Sequence, residues 1–380
     1  MSVRFEIDPR TPRITARLAQ GEGQGGVELP ALWLRERAQG ADQVDAQTHQ
    51  RLFNPHDLPE DLALTGIEPL GERQAWLSFS DGFRGCYDLD VLEDDFKPRD
   101  RVPDMQPWYG RFDRAEVTFD WRSLVEDVHM HACLGAFLSR GFAILQQVPT
   151  DPERILEVAR TFGYLRDTNF GLYFEVYSRP VMNDLAYSSH ALGPHTDNPY
   201  REPVPGIQLL HCLVNEATGG LSTLVDSLAV GAYLMQEDPE SFERLATTPV
   251  RFRFLDPEEE FIERRFIIRR DALGEMTGMH YSPRLDYMPL MSEQDLRAFH
   301  RARRKVAALL VDPRFEIRFP LRAGELMMFD NSRVLHGRTA FDPGSGRRHL
   351  QGCYIDIDEP RSRYRTLTRR LQSAQPLVEA

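Results

Sequence analysis

The chain has 380 residues, 27% charged and 41% hydrophobic, a globular composition that excludes wholesale disorder and a length that suits two domains. Its formal charge of −12 argues against nucleic acid or an anionic membrane as the main partner, because both require a basic face. Cys86, Cys133, Cys212 and Cys353 form no close pair, so spacing excludes a disulfide scaffold and a CxxC metal site, and reduced thiols suit a cytoplasmic protein. The N-terminal MSVRFEIDPRTPRITARLAQ lacks the apolar core of a secretory signal, and no stretch reaches the roughly 18 apolar residues of a membrane span.

In chain order, the first hundred residues hold short alternating runs (VRFEI, PRITARL, AWLSFS) split by Gly, Pro and Asp, with one helical stretch at LPALWLRERAQ. They predict a small β-rich domain over 1–105, bounded by the Pro-rich FKPRDRVPDMQP, followed by a larger domain over 106–380. Residues 122–141 predict a helix opened by a Ser123/Glu126 capping box and closed at Gly141. GFAILQQVP follows as a buried strand, then a helix over Asp151 to Phe162, and a third helix over Ser292 to Leu310 capped by Ser292. The runs GIQLLHCLV, STLVDS, RFIIRR, FEIRFPL, ELMMFD and HLQGCYIDI read as strands, which predicts a β-sandwich or barrel with helices outside it. There is no GxGxxG and no GxxxxGK[ST], so nucleotide binding has no support.

The chemistry concentrates in G-P-H-T-D-N-P-Y. His195 and Asp197, two apart on an extended strand, would face the same side. His336, in F-D-N-S-R-V-L-H-G-R just after an apolar strand, supplies a third ligand. Two His and one carboxylate on one octahedral face leave three open positions, the facial triad of non-haem Fe(II) oxygenases. Twelve residues beyond His336, Arg348 suits bidentate binding of the far carboxylate of 2-oxoglutarate, with Arg347 adjacent as the other candidate.

Five ordered motifs carry a resemblance: HTD-x-P-Y, PG-x-QLLHC, GG-x-S-x-x-VD, FDN-x-R-x-LHGR and RHL-x-G-x-Y-x-D-x-D. Over residues 120 to 370, and at L-W-L-R (Leu32 to Arg35), the chain resembles the γ-butyrobetaine and trimethyllysine hydroxylase branch of the Fe(II)/2-oxoglutarate dioxygenases, within the taurine dioxygenase superfamily. The resemblance implies a double-stranded β-helix (jelly-roll) core beside the N-terminal β domain. It implies Fe(II) on His195, Asp197 and His336, 2-oxoglutarate on Arg348 with Ser222 nearby, O₂ as oxidant, and a homodimer. One departure stands out: Ala38, Gly40 and Gln43 occupy positions where relatives carry zinc-binding cysteines, so no zinc is expected.

The family holds trimethylammonium groups in an aromatic cage, since ring faces attract cations. The matched positions here are Phe170, Phe174, Tyr187 and Tyr354, with Tyr173 close by and Asp184 as an acidic neighbour. At the anionic end Ser282 and Arg284 stand where butyrobetaine enzymes carry an Asn pair, across a one-residue gap. An added arginine suits a phosphonate, which makes 2-(trimethylamino)ethylphosphonate the first expectation and γ-butyrobetaine the second. A sulfonate or amino-acid dioxygenase, a betaine-binding module and a zinc hydrolase are competing readings. A binding module needs no triad, and a hydrolase has no use for Arg348.

Overall fold

Alternation of apolar and polar residues, read in the sequence as strands, is realised in two separate sets of sheets. The computed structural model describes residues 3–18, 26–71, 73–96, 102–177 and 189–374. The chain divides into two compact units, Met1–Arg101 and Val102–Ala380.

In the first unit, Val3–Asp8 and Arg13–Leu18 pair antiparallel with Val27–Glu28 at the edge, and Leu64–Pro69, Gln74–Phe79 and Arg84–Asp88 form a second three-stranded sheet. Ile14, Leu34, Leu77 and Tyr87 form its core with the short helix Ala31–Glu36. Arg35 of the L-W-L-R run is buried: it bonds Asp81 Oδ2 at 2.9 Å and Gln43 Oε1 at 3.0 Å, and stacks 3.9 Å from the Phe83 ring centroid. Ala38 packs in the same core, so two of the positions without cysteine serve packing and the anchoring of Arg35.

The second unit runs through helix α1 (Asp127–Arg140), strand β1 (Phe142–Gln146), helix α2 (Arg154–Phe162) and strands β2 (Phe174–Val176), β3 (Leu192–His195), β4 (Ile207–Asn215) and β5 (Ser222–Asp226). Helices α3 (Ser227–Glu237), α4 (Pro239–Thr247) and α5 (Glu293–Leu310) follow, then β6 (Glu316–Phe319), β7 (Leu326–Asp330), β8 (Val334–Arg338), β9 (Arg348–Ile355) and α6 (Asp358–Ala374). Thr118–Asp120, β1, β7, β4, β9 and β2 make a six-stranded sheet in that order, and β3, β8, β5 and β6 make a four-stranded one. The side-chain period of two divides each strand between two environments. Phe142, Ile144, Cys212, Met327, Phe329 and Leu350 meet Leu224, Ile317, Phe319 and Val334 of the smaller sheet in one apolar cluster. Their neighbours Ala143, Leu145, Ile207, Leu209, Leu326, Met328 and Ile355 pack under α1, α2 and α6. Two facing, mainly antiparallel sheets with helices outside are consistent with a jelly roll. Between α4 and α5 the chain adds small strands, among them Val250–Leu255, Glu260–Arg265 and Met276–Met279, which share a third cluster with α3 to α5. Among the described residues no helix is long and apolar enough to cross a membrane.

Several boundaries differ from the sequence reading for local reasons. Asp120, not Ser123, provides the cap near residue 122: its carboxylate accepts from Arg122 N at 2.9 Å and begins a short 3-10 turn, so α1 starts only at Asp127. Glu153 at φ +63° delays α2 to Arg154. The expected ends hold at Gly141, whose φ of +82° closes α1 through Gly141 N to Phe137 O at 2.7 Å, and at Ser292, whose side chain accepts from Asp295 N at 3.1 Å.

The turn between β7 and β8 is tied by a buried ion pair. Arg333 and Asp226, whose side chains are 1% and 0% exposed, meet at 2.9 Å. Arg333 also donates to Ser139 O at 2.7 Å and Gln106 O at 2.8 Å, while Asp226 accepts from Trp108 N and caps α3 through Leu228 N. Replacing Arg333 by Met leaves a buried carboxylate unpaired. It should lower unfolding stability by about 3–5 kcal/mol in denaturant titrations.

Candidate active site

Strands β3 and β8 pair so that His195 and His336 are direct cross-strand partners, with an irregular register between Leu192 and His195. Their ring centroids are 4.3 Å apart. Asp197 lies beyond the end of β3, where Asn198 takes φ +51°, and so is brought in by a loop and not by a continuing strand. That loop is fixed by fully buried Asn331: its Oδ1 accepts from Asp197 N at 2.8 Å, and its Nδ2 donates to Asp197 O at 2.9 Å and Pro205 O at 3.0 Å. On the other side Thr196 N donates to Tyr281 O at 2.7 Å, and Met279 N donates to Ser332 O at 2.9 Å. Gly278 is required at this crossing, since a Cβ there would lie 1.9 Å from Ser332 O.

The three ligand side chains converge. His195 Nε2 is 3.2 Å from Asp197 Oδ1, His336 Nε2 is 3.9 Å from Asp197 Oδ2, and one donor atom from each residue lies within 4.8 Å of the others. His195 Nδ1 faces Gly193 O at 2.9 Å, which makes Nδ1 the donor and leaves the Nε2 lone pair for a metal. Burial, then the charge of His195, pushes the His336 imidazole down to about 3, so it is neutral and able to coordinate. Burial opposes ionisation of Asp197, but His336, His195 and the Tyr354 hydroxyl together hold its carboxyl below the usual range. The neutral His336 imidazole, the Nε2 lone pair of His195 and an ionised Asp197 carboxylate form a donor set that fits a divalent transition metal.

These ligands line a cavity of about 80 Å³ with Phe174, Val176, Leu192, Gln208, Leu210, Ser222, Met327, Arg338, Arg348 and Leu350 among its walls. At the 10–15 Å³ a water requires, that is room for about six waters, the scale of a small molecule. Of the two adjacent arginines, Arg348 is buried and lines both this cavity and a wider outer groove with Glu175 and Glu216, whereas Arg347 lines the outer groove and is absent from the cavity wall. Among the described residues Arg348 Nε has no hydrogen-bond partner, and burial lowers the guanidinium pKa from its ordinary value.

The other expected residues fall at several depths. Phe174 lines the cavity and its ring lies 5.4 Å from that of Tyr354; Phe170 packs behind it, 6.3 Å away, against Phe254. Tyr354 donates to Asp197 Oδ2 at 2.8 Å, a contact that orients a ligand. Tyr173 is turned the other way by the strand period: its hydroxyl bonds Glu153 at 3.1 Å, and its ring packs under the helices, outside the cavity wall. Ser282 is fully buried, next to the Tyr281 main chain that binds Thr196, and its Oγ has no partner among the described residues. Arg284 is exposed, yet its charge is felt at His336. Asp286 is held by Arg303 at 2.6 Å. Asp184 and Tyr187 lie outside the described residues.

Residues unremarked in the sequence complete the site. Asn331 belongs to the F-D-N motif, and a polar residue ending a buried apolar strand was the available signal. Arg338, two residues past His336 on β8, shares its face by the strand period and bonds His190 O at 3.0 Å. Gln208 is the first polar residue of β4, which also carries His211 and Asn215.

The family model for "Taurine catabolism dioxygenase TauD, TfdA family" matches residues 103–354. A gamma-butyrobetaine dioxygenase of Pseudomonas sp. (strain AK-1) is 34% identical over 353 residues, covering 89% of this chain and 90% of that protein. A trimethyllysine dioxygenase of Meyerozyma guilliermondii is 27% identical, covering 94% of each chain. Among solved structures, an asparagine oxygenase in complex with Fe(II), 3-hydroxyasparagine and succinate aligns over 66% of this chain and 83% of that one, at TM-score 0.49 and 18% identity.

Replacing Tyr354 by Phe removes the hydroxyl that orients Asp197. Metal affinity should fall about 10–100-fold in Co(II) titrations, with the fold unchanged by circular dichroism.

Proposed function

Because this chain belongs to the TauD, TfdA family of dioxygenases, we propose that it is an Fe(II)- and 2-oxoglutarate-dependent hydroxylase of a small trimethylammonium zwitterion. The observation that carries the reading is the convergence of two imidazoles, one carboxylate and a buried arginine on a single small cavity. In this reading His195, Asp197 and His336 hold iron. Arg348 takes the far carboxylate of 2-oxoglutarate in a charge-assisted pair, with Ser222 on the same cavity wall. Iron with 2-oxoglutarate, when bound, supplies the activation of O₂ that hydroxylates an unactivated C–H bond.

The protein's own contribution is placement and exclusion of water. Asn331 holds the Asp197 backbone, Gly193 O fixes the His195 tautomer, and Tyr354 fixes the Asp197 carboxylate. Phe174, backed by Phe170 and joined by the Tyr354 ring, offers aromatic faces to a quaternary ammonium. Tyr187 and Asp184 join that cage by sequence match. Ser282 and Arg284 take the anionic end, where a buried hydroxyl with no partner among the described residues and an exposed cation suit a group rich in oxygen. On that ground 2-(trimethylamino)ethylphosphonate is the proposed substrate. γ-Butyrobetaine is the second reading, favoured by the 34% identity to a gamma-butyrobetaine dioxygenase.

The test is succinate release from Fe(II)-loaded protein with 2-oxoglutarate and O₂, comparing the two zwitterions with a blank. Turnover with the phosphonate above butyrobetaine is expected; the reverse order would transfer the assignment to butyrobetaine. Asp197→Ala should abolish turnover with either, and Arg348→Met should raise the KM for 2-oxoglutarate at least about tenfold, the loss of one charge-assisted pair.

A further inference from the structure

We infer that Gln208 is a co-substrate-binding residue, its side-chain amide donating to the metal-end carboxylate of the 2-oxo acid. This rests on the reading that the cavity takes a metal and 2-oxoglutarate. Gln208 is 1% exposed, lines the cavity that holds His195, Asp197 and His336, and has an amide Oε1 with no partner among the described residues. Buried polar atoms are almost always paired, and an unpaired amide on a cavity wall is open to a ligand, as an acceptor through Oε1 or, once turned, as a donor through Nε2.

The strand register locates the amide at the metal end. Gln208 is the direct cross-strand partner of Phe329 on β7 and of Tyr354 on β9. The Phe329 ring lies 4.7 Å from that of His336, and the Tyr354 hydroxyl bonds Asp197. Gln208 thus sits between the two residues that touch two of the ligands. Arg348, at the start of β9, pairs with Asn215 at the opposite end of β4. A 2-oxo diacid lying along the cavity would put its far carboxylate at Arg348 and its metal-chelating carboxylate near Gln208.

The chemistry of the wall narrows the partner further. On the same wall Leu210, Met327 and Phe174 offer no hydrogen-bonding group. A trimethylammonium group has neither donor nor acceptor to offer an amide, so the co-substrate oxygen is the group at this end that needs one. Turning the amide by 180° exchanges Oε1 for Nε2 within the same volume and presents an N–H to a carboxylate. A neutral donor does this without adding charge beside the ionised Asp197.

Calorimetric titration of 2-oxoglutarate into Co(II)-loaded protein tests the assignment without turnover, using the wild type, Gln208→Leu, Gln208→Glu and, as reference, Arg348→Met. Gln208→Leu should weaken 2-oxoglutarate binding at least tenfold, and Gln208→Glu further, because one carboxylate then faces another. The ligand-free Tm of Gln208→Leu should equal or exceed that of the wild type, since an unpaired buried polar group has been removed. Binding by Gln208→Leu within twofold of wild type, while Arg348→Met loses it, would overturn the inference. So would a fall in Tm that accompanies the loss of affinity, which marks a structural role. Failure of the wild type itself to bind 2-oxoglutarate would overturn the co-substrate reading beneath it.

Discussion

The buried pair between Arg333 and Asp226 is the constraint on which the larger unit depends. Removing two charges from water costs several kcal/mol per ion, and the loss is offset only when geometry and further hydrogen bonds use the remaining donors and acceptors. Here they are used. Arg333 reaches Asp226 twice and the carbonyls of Ser139 and Gln106, and Asp226 receives the backbone of Trp108 and Leu228. One interaction between residues 107 apart in sequence joins the turn into β8, the end of α1, the segment entering the unit and the start of α3. His336 stands three residues past that anchor, so its position is inherited from it.

What the sequence revealed and what it hid follow from the range of the interactions involved. His195, Asp197, His336 and Arg348 were legible because their types and spacing are chemically unusual. The strands of the larger unit were legible as short, nearly continuous apolar runs, which is how strands buried on both faces read. The way Asp197 reaches the site was not. Its position depends on Asn331, 134 residues away, and a loop held from such a distance looks in sequence like the continuation of a strand. The aromatic run N-F-G-L-Y-F-E-V-Y contained the right rings, but only the pairing of β2 with β9 sets the phase that turns Phe174 inward and Tyr173 outward. Arg348 is set apart from Arg347 because β9 begins there, pairing Arg348 with Asn215. At residue 120 a stronger local competitor, Asp120, took the capping role that S-L-V-E suggested for Ser123.

The cavity joins opposed electrostatic demands in a small volume. At one end an ionised carboxylate is held between imidazoles, and at the other Arg348 is buried with a donor, Nε, that has no partner among the described residues. The carboxylate end is satisfied by a divalent cation and the Arg348 end by an anion, so a metal ion and an organic acid together relieve both. Apart from Arg338, the groups around this axis are neutral: aliphatic side chains, the Phe174 ring, the Ser222 hydroxyl and the Gln208 amide.

The cross-strand pairing of His195 with His336 has a consequence for how the protein comes into being. One strand of the pair leaves the ribosome early and the other late, with α3 to α5 and their small strands made between them. Long-range pairing of this kind closes slowly, after the intervening chain has collapsed. The metal site is therefore among the last features to exist during synthesis. Capture of the ion would act as a seal on a nearly finished chain, and an unfinished one would have only half a grip to offer it.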